Sequence, residues 1–203
     1  MIKCIVNDIV THKSRLAQAL AVRDHEQATV LAEHIFALAI QEYDDSTCNG
    51  ILSDDGIIKE ITHLRELLAV HEARQEKVWA RKIVEGKANL SDFPDCPQYA
   101  ALLGTEMKKL GDHKRFKNAA FLGCGALPLT AMALSEREDV ETVFAYDWDA
   151  EAVELAQKFS EIQNISKTSY HLKNAQDIDF SLFDLIFVAS LVTDKEDVLK
   201  QIS

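Results

Sequence analysis

Three groups of residues have the types and spacing to do chemistry. Gly123 and Gly125 flank a single residue in Phe121-Leu-Gly-Cys-Gly-Ala-Leu-Pro-Leu-Thr130, a segment that closes an apolar run and opens a helical one. Glycines at such a junction permit a tight turn whose backbone approaches a bound nucleoside closely. About twenty positions on, a second apolar run ends in Phe144-Ala-Tyr-Asp-Trp-Asp149, which puts the carboxylate of Asp147 where ribose hydroxyls are held. Together the two segments predict a Rossmann-like sheet of the S-adenosylmethionine (SAM) type, with the glycine turn under the amino-acid moiety and Asp147 on the ribose. The third group is a glutamate out of place. Ile61, Leu64, Leu68, Trp79 and Ile83 form an apolar helical stripe, and steps of eleven residues from Ile61 to Glu72 and from Glu72 to Ile83 put a carboxylate on it. Burial raises the pKa of a carboxyl group, so Glu72 beside a cleft is a candidate proton acceptor. The competing reading is a helix-face glutamate paired with Arg65, His71 or Lys77.

Composition narrows the classes of ligand. The chain has 203 residues, 47% of them hydrophobic, enough for one large domain or two small ones without staples. A formal net charge of −11 and the lack of a basic stripe exclude a nucleic-acid partner and favour amine-bearing small substrates. Cys4, Cys48, Cys96 and Cys124 lack paired spacing, and the seven histidines lack metal-ligand spacing with acidic partners, so no metal site is expected. The cysteines read as reduced thiols of a cytoplasmic protein. Met1-Ile-Lys-Cys-Ile-Val-Asn-Asp-Ile-Val10 carries an acid and no cleavage site, so it does not read as a signal peptide, and no apolar run reaches membrane-spanning length.

The elements that must position these residues fall into two halves. Residues 1–115 read as a helical N-terminal domain. His12 to Ile40 repeats Leu16, Leu20, Ala28, Leu31, Ile35 and Leu38 at helical spacing; Tyr43 to Gly56 reads as a break rich in Asp, Ser, Asn and Gly. A long helix is predicted from Ile57 to Val84, ended by Gly86, followed by a loop from Asn89 to Pro97 and a shorter helix from Gln98 to Leu110. Residues 116–203 change grammar. Strands near 119–122, 142–146, 168–172 and 185–189 alternate with helices near 127–135, 150–162 and 194–202, the pattern of a parallel sheet with crossover helices. Pro128 suits a first helical turn. The fold class is therefore α/β, a helical domain followed by a SAM-binding sheet of the class I methyltransferase type. A complete sheet of that type has more strands, so this one reads as C-terminally incomplete, with an edge that something else must cover.

Several segments together resemble a family. Gly123-Cys-Gly-Ala-Leu-Pro-Leu-Thr130, Tyr146-Asp-Trp-Asp149, Phe187-Val-Ala-Ser-Leu-Val192 with Asp194-Lys-Glu196, and Phe93-Pro94 with Tyr99 are similar to nicotianamine synthases and to bacterial relatives that make opine-type metallophores. The likeness runs from about Leu68 to Ile202, and the Leu-Pro-Leu-Thr continuation of the glycine turn is its specific part.

That resemblance implies transfer of the 3-amino-3-carboxypropyl group of SAM to an amine, with release of methylthioadenosine, in metallophore biosynthesis. SAM is then a co-substrate, and the partner is an amine or amino acid, such as histidine or a SAM-derived aminobutyrate. It further implies that Glu72, in His71-Glu-Ala-Arg-Gln-Glu76, is the catalytic glutamate and that Tyr99 positions the amine or shares its proton. Glu76 and Phe93 would border the acceptor. Gly123, Cys124, Gly125, Asp147, Asn174 and Ala175 would bind the nucleoside and its tail, and Ala189 and Leu191 would line the wall after the fourth strand. Trp148 either stacks on adenine or packs half-exposed. The loop Phe93-Pro-Asp-Cys-Pro-Gln-Tyr99 departs from the family in lacking two tyrosines, which bears on the choice of amine. A homodimer is left open. Two other classes share the glycine turn: an ordinary SAM-dependent methyltransferase, and a truncated module that binds SAM or a partner without catalysis.

Overall fold

The computed structural model of the chain describes residues 2–39, 41–94, 96, 104–106, 108–109, 115–190, 192 and 195–202. It divides into two compact units, Met1–Arg74 and Gln75–Ser203. The boundary of packing therefore falls inside a helix, while the change of sequence grammar lies near residue 115.

The first unit is helical. Helices α1 (Ile2–Ala21), α2 (His25–Ala39) and α3 (Asp45–Leu52) precede α4 (Asp55–Val84), whose first part belongs to this unit. Leu16, Ala19 and Leu20 of α1, Ala28, Leu31, Ala32 and Ile35 of α2, and Leu64 and Leu68 of α4 form one buried cluster. The periodic stretch from His12 to Ile40 is thus two helices. Arg23 adopts a left-handed φ of 58°, and the Asp24 side chain accepts from Gln27 N–H at 3.0 Å to start α2. Hydrophobic periodicity runs through that turn because the residues on both sides of it serve one core. The Tyr43–Gly56 segment, expected as a break, contains α3. Its turn-forming aspartates act as helix caps: Asp44 Oδ1 accepts from Thr47 N–H at 2.7 Å, and Asp54 Oδ1 accepts from Gly56 and Ile57 N–H at 2.9 and 3.1 Å to open α4. α4 ends where expected. Gly86, at φ 69°, sends its N–H to Ile83 O, and Lys87 N–H returns to Lys82 O at 2.8 Å.

The second unit holds the sheet. Strands β1 (Phe116–Leu122), β2 (Val140–Asp147), β3 (Thr168–Leu172) and β4 (Leu185–Val188) are all parallel, in the order β3-β2-β1-β4. Helices α5 (Leu129–Glu136), α6 (Ala150–Ile162) and α7 (Lys195–Ile202) alternate with them as the crossover pattern requires. Ala119 and Phe121 of β1, Val143 and Ala145 of β2 and Tyr170 of β3 pack against Ala131 and Leu134 of α5 and Val153 and Ala156 of α6. On the opposite face Ala120 and Leu122 pack with Ile178, Phe180 and Val198 of α7. β1 pairs with β2 on one side and β4 on the other, so the order reverses at its C-terminal end. An open parallel sheet has its natural ligand crevice at such a switch point. The Gln98–Leu110 helix falls mostly outside the described residues, of which 104–106 and 108–109 are helical.

Candidate active site

The glycine turn stands at that switch point. β1 ends at Leu122, and the N–H groups of Gly123 and Cys124 both reach Tyr146 O of β2, at 2.9 and 3.0 Å. Gly123 and Gly125 adopt φ of 78° and 64°, the left-handed region that side chains rarely enter. A Cβ on Gly123 would lie 2.7 Å from Val192 Cγ2 and 3.2 Å from Ala189 Cβ; one on Gly125 would lie 2.1 Å from Glu76 Oε2. Both glycines are therefore required by conformation, and at Gly125 the space is taken by the end of the flexible Glu76 side chain. Pro128 caps α5, which begins at Leu129, one residue later than a first-turn proline would have it.

Two carboxylates hold consecutive amides of the turn. Gly125 N–H donates to Asp147 Oδ2 at 2.9 Å, and Ala126 N–H donates to Glu76 Oε2 at 3.1 Å. The other oxygen of Asp147 accepts from Asp149 N–H at 3.0 Å. Each carboxylate oxygen keeps acceptor capacity beyond one amide, so Asp147 can still receive hydroxyl donors. Asp149 caps α6 through Oδ1, which accepts from Glu151 and Ala152 N–H at 3.0 and 3.3 Å, while its Oδ2 receives the Lys77 ammonium. Lys77 also reaches Glu151 at 3.3 Å, and Arg81 pairs with the same glutamate. Burial works against charge at both ends of the Lys77–Asp149 pair. Even so, the hydrogen bonds that Lys77 donates to Asp149 and Glu151 hold the ammonium above its ordinary pKa, and those that Asp149 accepts from Lys77 and Ala152 N–H hold its carboxyl below its own. Cys124 lies between the two carboxylates, 4% exposed. Burial first, then the charges of Asp147 and Glu76, push its thiol well above the ordinary range, which leaves it a small, inert packing residue.

Residues 2–203 match the model of the family described as "Nicotianamine synthase protein". The chain belongs to this family. It is 30% identical over 149 residues to the L-histidine 2-aminobutanoyltransferase of Yersinia pestis, covering 73% of this chain and 55% of that protein. It is 34% identical over 90 residues to a nicotianamine synthase of Solanum lycopersicum, covering 41% of this chain and 28% of that one. The chain thus spans about half or less of the length of these curated relatives. Among solved structures, a glutamate-to-glutamine mutant of MtNAS in complex with S-adenosylmethionine matches at a TM-score of 0.76 with 23% identity, covering 97% of this chain and 76% of that one. MtNAS in complex with MTA and tNA matches at 0.74 with 24% identity over the same shares. The nicotianamine synthase fold is therefore that of the chain.

In this family member the second unit gathers Gly123, Cys124, Gly125, Asp147, Glu76 and Ala189 around one turn. Trp148 is 73% exposed at the mouth of β2, so it is not a core packing residue. Asn174 is exposed and Ala175 half-buried at the start of a 3-10 turn (Ala175–Asp177) after β3. Phe93 is 3% exposed and packs edge-on against Trp79 in the cluster of Ala80, Ile83, Leu127, Leu129 and Phe159. Glu72 belongs to the first unit, half-buried, four residues before Glu76 on the continuous helix α4. Of the pairings considered for it, Lys77 directs its ammonium to Asp149 and Glu151. Tyr99 and Leu191 lie outside the described residues. Sequence reasoning named Lys77 and Asp149 but missed that they pair. The available signal was the second acid of Asp147-Trp-Asp149, which stands at the N-cap of a helix and needs a cation if it is to be half-buried. Among the described residues no helix is long and apolar enough to cross a membrane, and no three His, Cys, Asp or Glu side chains are grouped to hold a metal ion.

Proposed function

We propose that the chain transfers the 3-amino-3-carboxypropyl group of SAM to an amine, releasing methylthioadenosine, as a step in making a nicotianamine-like metallophore. The observation that carries this reading is the pair of carboxylates on one turn: Asp147 on Gly125 N–H and Glu76 on Ala126 N–H, at the switch point of a nicotianamine synthase sheet. In this reading Asp147 receives the ribose hydroxyls, and Gly123, Cys124 and Gly125 cradle the amino-acid tail. Trp148, Asn174, Ala175, Ala189 and Leu191 border the nucleoside.

The reaction joins the acceptor nitrogen to the γ-carbon of the donor while the bond from that carbon to sulfur breaks. The sulfur keeps the electron pair and leaves as the thioether of methylthioadenosine. The attacking amine must be neutral, so its proton goes to a base, and Glu72 on α4 is assigned that task with Tyr99 positioning the amine. Glu76, one turn further along the helix, and Phe93 border the acceptor. The excess of acidic residues suits a cationic amine, and the name of the Yersinia relative makes histidine the first acceptor to try.

Incubation with SAM and a panel of amino acids, followed by mass spectrometry, tests the reading. Methylthioadenosine together with an aminocarboxypropyl-amino acid is expected. S-adenosylhomocysteine with a methylated acceptor would overturn it in favour of methyl transfer, and no turnover despite SAM binding would favour a binding module.

A further inference from the structure

Glu76 and Lys77 are neighbours on α4, and each grips a different end of the same assembly. Glu76 receives Ala126 N–H, next to Gly125; Gly125 N–H goes to Asp147; Asp147 receives Asp149 N–H; and Asp149 receives Lys77. The chain of contacts closes on itself. Within it, Asp149 is fixed twice, by the two α6 amides on Oδ1 and by the ammonium on Oδ2. That clamp sets the direction of the Asp149 peptide N–H, and this N–H sets one oxygen of Asp147. The Lys77 side chain is 19% exposed, so bulk water competes weakly for the ammonium.

We propose that Lys77 is a positioning residue for ribose recognition, holding the Asp147 carboxylate in its hydroxyl-accepting rotamer through Asp149. The inference rests on the assignment of Asp147 to the ribose made above. Lys77 touches no ligand in this scheme. Its effect passes through one salt bridge and one peptide group, so it should appear only with ligands whose ribose hydroxyls Asp147 receives. A purely electrostatic role predicts something different. Removing a cation beside three acids within five residues makes the site more negative, which would tighten a sulfonium ligand and leave a neutral nucleoside alone.

Calorimetry with three ligands separates these cases: SAM, methylthioadenosine, and the 2′,3′-dideoxy analogue of methylthioadenosine. Lys77→Met is expected to lose about tenfold in affinity for both SAM and methylthioadenosine, the scale of one misaligned charge-assisted hydrogen bond. It should bind the dideoxy analogue as the wild type does, and Lys77→Arg should recover most of the loss. Asp149→Asn keeps a capping oxygen for α6 and loses the ionic partner. It is expected to show the same hydroxyl-dependent pattern, and it serves if Lys77→Met does not fold. Unchanged affinity for methylthioadenosine in both variants, or an equal loss with the dideoxy analogue, would overturn the proposal while leaving the transferase reading intact. A wild-type chain that binds neither SAM nor methylthioadenosine would overturn the transferase reading and this inference with it.

Discussion

Gly125 offers a sharp test because its missing side chain and the Glu76 carboxylate claim the same space. In Gly125→Ala the new Cβ would stand 2.1 Å from Glu76 Oε2, on a backbone at φ 64°. The backbone strain costs about 1–2 kcal/mol. The steric conflict costs less than the distance suggests, because a carboxylate at the end of a flexible side chain swings away. What it loses in doing so is the Ala126 N–H bond, worth about 1.5–3 kcal/mol for a charged acceptor. Gly125→Ala should then destabilise the protein by about 2.5–5 kcal/mol, the sum of those two contributions. Glu76→Ala alone removes the same bond and costs about 1.5–3 kcal/mol. In the double mutant that bond can be lost only once, so adding Glu76→Ala to Gly125→Ala should cost almost nothing. The cycle predicts a coupling of about 1.5–3 kcal/mol in favour of the double mutant. Urea unfolding of the four proteins measures it. Gly123→Ala is the control, since its Cβ would meet Val192 and Ala189, and Glu76→Ala should add its full cost there. Strictly additive effects at Gly125 and Glu76 would refute the claim that this carboxylate is seated on the turn.

Two further predictions address the chemistry and the clamp. Glu72→Gln should lower turnover at least ~100-fold while leaving SAM affinity nearly unchanged, as expected for loss of a general base; turnover equal to wild type would remove Glu72 from the mechanism. The pH dependence of stability should show the Lys77–Asp149 pair at both ends of the scale. The folded-state pKa of Asp149 lies below its ordinary 3.8, so its contribution is present above pH 3.8 and is lost as pH falls through the lowered value. Lys77 is raised above its ordinary 10.5, so its contribution is present below that pH and is lost as pH rises through the raised value. The stability difference between wild type and Asp149→Asn, followed by denaturant unfolding, should therefore be flat from about pH 5 to 9 and shrink on the acid side. A difference that persists unchanged to pH 2 would contradict the pairing.

Much of this site was legible in the sequence because its parts are local. A glycine pair after an apolar run and an acid after the next run specify a turn and a strand end, and the structure brings Gly125 and Asp147 within hydrogen-bond distance through their neighbouring parallel strands. The strands and α6 follow from the alternation of short apolar runs with helical segments for the same reason. What sequence reading missed depends on groups far apart in the chain or on turns that leave no apolar trace. The break at Arg23 is invisible to periodicity because α1 and α2 feed one cluster, and α3 is hidden in a stretch whose aspartates read as turn formers although they cap helices. The ring of Phe93 lies on Trp79 in the second unit's apolar cluster, a packing partner that spacing along the chain does not encode.

The choice of the helix face on which Glu76 and Lys77 sit also has a chemical consequence. The turn presents N–H groups, which attract anions, yet in this chain two carboxylates already take the amides of Gly125 and Ala126. The local field is therefore negative, and after burial the same two charges push the Cys124 thiol upward. A donor with a sulfonium and an ammonium meets complementary charge there, and a neutral thioether product does not. Moving the carbon chain off sulfur removes the positive charge that the site favours, so release of the product becomes easier after transfer than before it. On this argument the difference in affinity between SAM and methylthioadenosine should narrow when Glu76 is replaced by Gln, because the amide keeps the shape and the possible contact to Ala126 but not the charge. Equal narrowing on replacing Glu154, an exposed acid of α6 paired with Lys158, would show instead that overall charge sets the discrimination.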